Sequence, residues 1–388
     1  MSVSEVVNRR VNGARDPERL ARIIWSHLVE PALQPLPDKV PESLRWLREL
    51  GPVEALDRLC STRVGDGSAA RARLEALDLD GVLRGHDRFA LRVLVPGDDG
   101  WPEGVDDLDQ PPLCLYVRGA LDLSDLRWSG IAVVGSRAAT PYGSQVARRM
   151  ASDLTDRGVV VVSGAAFGID AAAHEGALIV GGPTVAVLAC GVDRPYPTAH
   201  AELIGRIRGD GAVISEVPLG FAPYRQRFLS RNRLIAAMTT GTVVVEAGAR
   251  SGSLNTAGSA ESLSRHVGMV PGPVTSMGSV GCHDWIRTHR ANLVTDAADV
   301  LDLMGRLGVH VQDTRRGPEF AEDLVEPGDR GLWSAVPVRS GADLMTLSRA
   351  SGLSIPSTLA GLGRLVLAGL VERQDDVWRK VSSTRRPA

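Results

Sequence analysis

Short β-branched runs alternate with longer amphipathic stretches through the middle of the chain. The runs, rich in Val, Ile, Thr and Ala, lie at 131–134, 159–162, 184–188, 212–214, 242–245 and 266–270. Between them, apolar residues at helical spacing predict helices over 145–157, 169–178, 199–208, 232–238 and 256–264. Continuously apolar strands that are separated by helices are typical of parallel strands buried on both faces. The pattern predicts the α/β fold class, as an open parallel sheet with right-handed crossovers.

Helical spacing of apolar residues also marks the first 110 residues, which several prolines interrupt. Alternating apolar and charged residues predict helices at 19–28, 42–50 and 69–77. The helix–Gly–helix pattern around Gly51 suits either an accessory scaffold or direct DNA contact, and we favour the scaffold because short motifs are weak evidence. We expect a helical accessory domain of the SAM or helix-hairpin-helix kind over 1–110 and the α/β core over 111–308.

The C-terminal region divides into a linker and a small domain. Residues 309–327 are polar and acidic and contain two prolines, so we expect a linker there. Helical spacing at 343–350 and 356–368 is followed by two short β-prone runs. Two helices joined at a glycine and followed by a β-hairpin are typical of a winged helix, which we place at 328–388. Such domains contact proteins as often as DNA, and the net positive charge of this one favours DNA only slightly.

Composition indicates a globular protein without a membrane segment. Of the 388 residues, 44% are hydrophobic and 23% are charged, which excludes a largely disordered protein. No run reaches the roughly 18 apolar residues of a transmembrane helix, and the N-terminus lacks the apolar core of a signal peptide. The four cysteines are scattered without metal-ligand spacing, which suits reduced thiols. We expect a cytoplasmic protein with no membrane span.

The net charge of −2 does not by itself indicate a partner. It results from 44 basic and 46 acidic residues, and only Lys39 and Lys380 are lysines, so arginine supplies nearly all of the positive charge. The planar arginine fork suits phosphate, yet an arginine-rich genome would produce the same bias. A slightly acidic protein can bind nucleic acid where its arginines converge on one surface.

Three strand-to-helix turns rich in small residues are predicted to lie at one edge of the sheet. In an open parallel sheet, ligands bind beyond the carboxyl ends of the strands. Glycines let the backbone approach a ligand, and helix N-termini present free N–H groups to an anion. One such turn is ordinary chain geometry, but three together favour phosphate binding. The candidate residues are Gly135, Ser136, Arg137, Thr140, Tyr142 and Gly143 in the first turn, Ser163, Gly164, Gly168 and Asp170 in the second, and Ser251, Gly252 and Ser253 in the third.

The densest positive charge lies at 224–233, which we call the arginine segment. Four arginines in it alternate with two aromatic residues. Cations that neutralise the backbone and rings that stack on bases are together what single-stranded nucleic acid requires. The alternative is a solvated loop whose arginines pair with carboxylates. Asn232 is also placed to cap the helix predicted to follow. The candidate residues are Arg227, Phe228, Arg231, Asn232 and Arg233.

Residues suited to catalysis are few. Asp170 and His174 are four positions apart on a predicted helix, but no activated nucleophile accompanies them. The zinc-protease motif, the Walker pattern and the dinucleotide fingerprint are all missing. Cys282 and His283 lack the second pair of ligands that a zinc site needs. We expect a binding protein rather than an enzyme, with no metal and no cofactor.

Motifs in a fixed order give the core a resemblance to a known family. They run from Gly135-Ser-Arg and Ser163-Gly-x-x-x-Gly-Ile-Asp170 through Arg231-Asn-Arg233 to Ser251-Gly-Ser and Val270-Pro-Gly-Pro273. Over residues 110–303 the chain resembles the DprA or Smf family of DNA-processing proteins. The resemblance implies a Rossmann-like core that dimerises and binds single-stranded DNA. It also implies that the protein protects incoming strands in natural transformation and loads the recombinase RecA.

The same resemblance assigns DNA-pocket roles to positions in three of these motifs. They are Gly135, Ser136 and Arg137, then Ser163, Gly164, Gly168 and Asp170, and finally 231–233. Arg227 and Phe228 come from the residue pattern alone. Two positions depart from the family pattern, since Ser230 stands where proline is frequent and His200 where asparagine often follows Tyr-Pro.

Two alternative functions stay open at this point. The run Gly241-Thr-Val-Val-Val-Glu246 retains part of the loop with which related Rossmann-like phosphoribohydrolases release bases from nucleoside monophosphates. An enzyme of that type is the first alternative, and base release from AMP would favour it. The second is a winged-helix regulator whose core senses a nucleotide, and sequence-specific duplex binding by the C-terminal domain would favour it.

Overall fold

The computed structural model describes residues 16–30, 42–61, 66–289, 291–305 and 325–381. The chain forms two compact units, one within residues 1–312 and the other within 313–388. Most of the predicted linker, 309–324, lies outside the described residues. The two units are described separately below.

A mostly parallel nine-stranded sheet forms the centre of the first unit. Its strands are β1 (Arg92–Leu94), β2 (Leu115–Gly119), β3 (Gly130–Val134), β4 (Val160–Ser163), β5 (Thr184–Val187), β6 (Ala212–Ser215), β7 (Gly241–Val244), β8 (His266–Met269) and β9 (Asn292–Leu293). They lie in the order β1-β2-β6-β5-β4-β3-β7-β8-β9. Only the β1–β2 and β2–β6 pairs are antiparallel. The predicted α/β class with an open parallel core is therefore confirmed.

The order of the strands reverses between β3 and β7. From β3 the chain adds β4, β5 and β6 on one side, then returns to place β7, β8 and β9 on the other. Strands β3 and β7 pair in parallel register, with Ile131 opposite Gly241. In open α/β sheets, the crevice at the carboxyl ends of such a pair is where ligands bind.

Helices cover both faces of this sheet because its strands are apolar on both sides. They are α6 (Leu126–Ser129), α7 (Pro141–Asp156), α8 (Ile169–Ile179), α9 (Ala201–Asp210), α10 (Arg225–Ala237), α11 (Ser253–Ser262), α12 (Val280–Thr288) and α13 (Ala297–Met304). Alternate residues of β3 point to opposite faces, as the strand period requires. Val134 packs in the cluster that contains Leu234 of α10, whereas Val133 packs with Leu154 of α7.

Two helices begin earlier than the sequence pattern predicted. Helix α7 starts at Pro141 because Thr140 caps it, accepting the Gly143 N–H. Helix α10 starts at Arg225, so most of the arginine segment is helical rather than a loop, and Asn232 lies inside the helix instead of capping it. Arginine is a good helix former, and no glycine or proline interrupts the segment.

A helical region with its own core precedes the central strands. Its helices are α1 (Pro17–Leu28), α2 (Glu42–Leu50), α3 (Pro52–Ser61), α4 (Asp66–Ala76) and α5 (Leu79–Arg88). Trp25 of α1 and Leu56 of α3 are fully buried in that core. Strand β1 already belongs to the sheet, although it precedes the boundary expected at residue 110. That domain boundary stays a prediction.

The described part of the second unit, 325–381, contains three α-helices and a β-hairpin. These are α14 (Arg330–Ala335), α15 (Leu344–Ser351), α16 (Ile355–Leu367), β10 (Val371–Gln374) and β11 (Val377–Lys380). Gly352 takes a left-handed conformation where α15 ends, as glycine does readily. The order of elements agrees with the winged helix expected from the sequence, and the winged helix itself stays a prediction. Within the described parts of both units, no helix combines the length and the apolar character that a membrane crossing demands.

Candidate functional site

A cavity of about 910 Å³ lies at the carboxyl ends of β3 and β7, where the strand order reverses. We call it the edge cavity. It brings together the third predicted turn, parts of the first and second turns, and part of the arginine segment. Its lining includes Gly135, Ser136, Arg137, Ala166, Asp170, Tyr196, Tyr224, Arg225, Phe228, Arg231, Asn232, Arg250, Ser251, Gly252, Ser253 and Asn255. The glycine-bearing turns and the arginine segment therefore meet at one site.

Three helices begin at the edge cavity. Helices α8, α10 and α11 have their first turns beside it, so the positive ends of their dipoles lie there, although the N–H groups of Ile169, Arg227 and Leu254 already donate within the protein. The serines at the start of α11 are hydrogen-bonded to each other, Ser251 Oγ to Ser253 Oγ at 2.7 Å. Backbone donors and hydroxyls in this arrangement suit an anion.

Arg137, which is exposed, and Phe228, which is half-buried, form a cation–aromatic pair at the edge cavity. The Arg137 guanidinium lies 4.7 Å from the centre of the Phe228 ring. Tyr196 approaches the same ring with a centroid distance of 5.7 Å. Among the described residues, no carboxylate forms an ion pair with Arg137. Its charge and the two rings are therefore accessible to a ligand.

Arg231 is buried beneath the cavity rather than exposed in it. Its Nη1 donates to the Val187 carbonyl at 2.6 Å, and the guanidinium lies near Asp170. Burial raises the pKa of the Asp170 carboxyl, and the charge of Arg231 opposes that increase. Gly164 donates its N–H to Asp170 at 3.2 Å. A Cβ on Gly164 would lie 1.8 Å from Arg231 Nη1, so only glycine leaves room for this guanidinium.

Two further residues of the second turn lie below the cavity surface. Ser163 is fully buried, and its hydroxyl donates to the Val133 carbonyl at 2.7 Å. Gly168 has a φ of +80°, and a Cβ there would lie 2.2 Å from the Ser136 carbonyl oxygen. Neither residue lines the cavity. Gly168 allows the second turn to pack against the first, and Ser163 joins the end of β4 to β3. Both residues therefore have a structural role beneath the surface of the cavity.

The first turn is fixed to the end of β7 by Glu246. This buried carboxylate accepts the Thr140 N–H at 2.9 Å and the Thr140 hydroxyl at 2.5 Å. Gly143 packs so close to it that a Cβ would lie 2.3 Å from the carboxyl group. Tyr142 donates its hydroxyl to the Pro271 carbonyl at 2.7 Å. Thr140, Tyr142 and Gly143 therefore shape the turn and do not line the edge cavity.

Two arginines of the arginine segment form ion pairs away from the cavity. Arg233 donates to the buried carboxylate of Glu216 at 2.6 Å. Arg227 is paired with Glu30, which follows helix α1. For these two residues the structure agrees with the alternative interpretation of the segment, in which arginines pair with carboxylates. By contrast, Arg225 is exposed and lines the cavity.

The candidate list from the sequence missed several residues that line the cavity. Arg225 and Tyr224 belong to the arginine segment, and Arg250 and Asn255 flank or follow the third turn. Tyr196 follows β5, where no glycine-rich turn drew attention to it. The sequence feature that could have identified Tyr196 is the Tyr196-Pro197 motif. Arg250 was the easiest to find, because it directly precedes Ser251.

In the part of the chain that the structure describes, neither a cluster of metal ligands nor an exposed cysteine lies at this site. Among the described residues, no group of three or more His, Cys, Asp or Glu side chains could hold a metal ion. The four cysteines are buried and unpaired. His174 is fully buried, its Nδ1 lies 2.8 Å from Thr184 Oγ1, and burial lowers its pKa to about 3. The helix pair Asp170 and His174 is thus part of the interior.

Comparison with known proteins identifies relatives of this arrangement. The family model of DNA recombination-mediator protein A matches residues 92–305. The DNA processing protein DprA of Mycobacterium tuberculosis is 42% identical over 381 residues, which cover 94% of this chain and 95% of that protein. Protein Smf of Escherichia coli is 40% identical over 285 residues, covering 72% and 74%.

Solved structures agree with these sequence relatives. The X-ray structure of DprA from Streptococcus pneumoniae superposes with a TM-score of 0.62 at 31% identity, covering 75% of this chain and 98% of that one. A Helicobacter pylori DprA structure, whose description concerns its single-stranded DNA binding mode, gives a TM-score of 0.50 at 29% identity. It covers 55% of this chain and 95% of the other. The chain therefore belongs to the DNA recombination-mediator protein A family, that of the DprA and Smf proteins, as its motifs indicated.

Proposed function

We propose that this protein binds single-stranded DNA in the edge cavity. It would protect incoming strands in natural transformation and load RecA onto them, acting as a homodimer and without catalytic turnover. The observation that carries the proposal is the pair of exposed Arg137 and half-buried Phe228 at the junction of three helix N-termini. The Helicobacter pylori relative, described as binding single-stranded DNA, supports the same ligand.

The chemistry of the cavity fits an unpaired strand better than a duplex. Arg137, Arg225 and Arg250 supply exposed positive charge for phosphates. Phe228, Tyr196 and Tyr224 supply ring faces on which unpaired bases stack, and stacking tolerates any base sequence. A base inside a duplex presents no free face. We therefore expect a preference for single strands with little sequence dependence.

The contacts of the acidic groups support binding without turnover. The phosphoribohydrolase alternative needs Glu246 to act on a substrate. However, both its oxygens accept hydrogen bonds from Thr140, and it does not line the cavity. Asp170 lines the cavity but is held by Gly164 and lies beside Arg231. Both carboxylates are thus engaged by groups of the protein, which supports a binding role over proton transfer at a bound nucleotide.

A titration of the full chain tests the proposal directly. Fluorescence anisotropy would be measured with a labelled single-stranded oligonucleotide and with a duplex of the same length, at two salt concentrations. We expect tighter binding of the single strand, weakening as salt increases. Equal affinity for both substrates, or no binding of either, would contradict the proposed ligand. Release of a free base from AMP, followed by chromatography, would instead support the enzyme.

A second assay addresses the recombinase. RecA filament formation would be followed on strands already coated with single-strand-binding protein, with and without this chain. We expect filaments to form faster in its presence. An unchanged rate, with DNA binding intact, would refute RecA loading while leaving strand binding in place.

A further inference from the structure

Arg227 lies among cavity-lining residues of α10 but is itself buried, with 6% of its surface exposed. Its Nε and Nη2 donate to the two carboxylate oxygens of Glu30 at 3.1 and 2.6 Å. Its Nη1 donates to the Ala222 carbonyl. Such a two-pronged pair fixes the plane of the guanidinium as well as its position. Arg227 therefore cannot reach a phosphate at the cavity without breaking its pair with Glu30.

Aromatic rings extend this ion pair to the cavity surface. The Arg227 guanidinium lies 4.4 Å from the centre of the Tyr224 ring and 5.1 Å from that of Phe221. His27 of α1 meets the Phe221 ring edge-on at 5.6 Å. Tyr224 lines the edge cavity and precedes the first turn of α10, and its carbonyl accepts the Arg227 N–H. One cluster thus joins the end of α1 to the cavity.

We infer that Glu30 and Arg227 are positioning residues, through which the packing of α1 sets the orientation of Tyr224 and of the first turn of α10. The inference rests on the proposed function, because the strand is the ligand that Tyr224 and Arg225 would meet. It gives the N-terminal helical region a role in binding that requires no contact between that region and DNA. Direct contacts run from Glu30 to Arg227 and from Arg227 to Tyr224, which lines the cavity. These contacts link the end of α1 to the cavity within the folded structure.

A competing explanation makes the opposite prediction for the same substitution. If Glu30 only masked Arg227, then Glu30→Gln would release a phosphate ligand and also remove a negative charge near a polyanion. Binding would tighten, and its dependence on salt would become steeper. If Glu30 positions Tyr224, the same substitution weakens binding. The salt dependence then becomes no steeper, because no phosphate ligand is gained.

The experiment compares Glu30→Gln with Glu18→Gln in the full chain. Glu18 lies in the first turn of α1 and pairs with Arg22, so its substitution removes the same charge from the same helical region. We expect single-strand affinity to fall about three- to tenfold in Glu30→Gln, with a salt slope no steeper than that of the wild type, and to stay at the wild-type value in Glu18→Gln. Equal or tighter binding by Glu30→Gln would overturn the inference.

Hydrogen exchange of the DNA-free protein separates this inference from the proposed function. Amides at 221–228 should exchange faster in Glu30→Gln and at the wild-type rate in Glu18→Gln. Unchanged exchange in Glu30→Gln would overturn the coupling even where DNA affinity falls. Failure of the wild-type chain to bind any single strand would overturn the proposed function, and the exchange rates would still decide whether Glu30 holds this segment.

Discussion

Burial separates the arginines that can meet a ligand from those that hold the fold. Arg231 and Arg233 donate to groups inside the protein, a backbone carbonyl and the Glu216 carboxylate. Arg225 lies on the same helix with its side chain exposed at the cavity. Burying a charge away from water is costly unless the charge is paired, so each of these buried arginines has a hydrogen-bonding partner. The number of arginines in a segment of sequence is therefore larger than the number that can contact phosphates.

Arg137→Ala should weaken the binding of single-stranded DNA. Loss of one charged contact should lower affinity about five- to thirtyfold, and the slope of log affinity against log salt should flatten by about 0.7. Arg149→Ala is the matched control, because Arg149 is exposed on α7 and does not line the cavity. Anisotropy titrations of both variants at several salt concentrations measure the effect. Equal affinities for the two variants would exclude Arg137 as a ligand.

Gly164→Ala should destabilise the protein. The new Cβ would overlap the Arg231 guanidinium, which is fixed by Val187, so neither group can move away freely. We expect a loss of about 1–3 kcal/mol in the free energy of unfolding. Gly209→Ala in α9 is the control, since nothing lies within 4 Å of its Cβ position and alanine should there stabilise the helix by about 0.4–1 kcal/mol. Chemical denaturation measures both, and a neutral Gly164→Ala would refute the close packing.

At the level of elements, the sequence predicted the strands of the core well because their signal is local. Each run of β-branched residues corresponds to a strand of the sheet, with ends that differ by a few residues. The predicted start of α10 at residue 232 was wrong, because the dense charge before it was interpreted as a sign of a loop. Pairing of its arginines with carboxylates was one interpretation of the sequence, but the identity of the partners could not be predicted. Glu30 is 197 positions from Arg227 in the chain, and no local pattern connects them.

The location of the candidate site was predicted from the sequence about as well as the strands were. Turns after β3 and β7 were found because glycine and serine mark them, and the rule for parallel sheets places them at one edge. The same glycines did not reveal which of them face a ligand. Gly164 and Gly168 are required by close packing beneath the surface, and Gly252 lines the cavity with nothing within 4 Å of its Cβ position. Gly135 combines both, because it lines the cavity and a Cβ there would lie 2.6 Å from the Ile169 side chain. Only the three-dimensional arrangement distinguishes these two reasons for a glycine.

Tyr196→Ala should reduce single-strand affinity without changing its dependence on salt. Tyr196 packs against Phe228 at the cavity mouth, and loss of one stacking surface is worth about 1–3 kcal/mol of binding. Trp128→Ala is the control, because Trp128 is also an exposed aromatic residue but lies at the amino ends of β3 and β4. Competition titrations against unlabelled strand measure the difference. Unchanged affinity in Tyr196→Ala, or an equal loss in Trp128→Ala, would refute base stacking on Tyr196.

At the scale of the whole molecule, positive charge is local rather than general. The chain carries a net charge of −2, so long-range attraction to DNA is weak, and the binding that we propose depends on the cavity. Family membership and the mostly parallel sheet agree with that arrangement, since the sheet places helix N-termini and exposed arginines at one edge. A surface of this kind neutralises a short stretch of backbone and leaves the rest of the strand in solvent.

The salt dependence of the wild-type protein should therefore be shallow. Three exposed arginines line the edge cavity, Arg137, Arg225 and Arg250, and among the described residues none of them is paired with a carboxylate. Each phosphate neutralised on a single strand contributes about −0.7, so log affinity should fall against log salt with a slope of about −2 per site. Titrations with a short oligonucleotide over a range of salt concentrations measure this slope. A slope several times steeper would require a second basic surface, and a slope near zero would mean that stacking alone holds the strand.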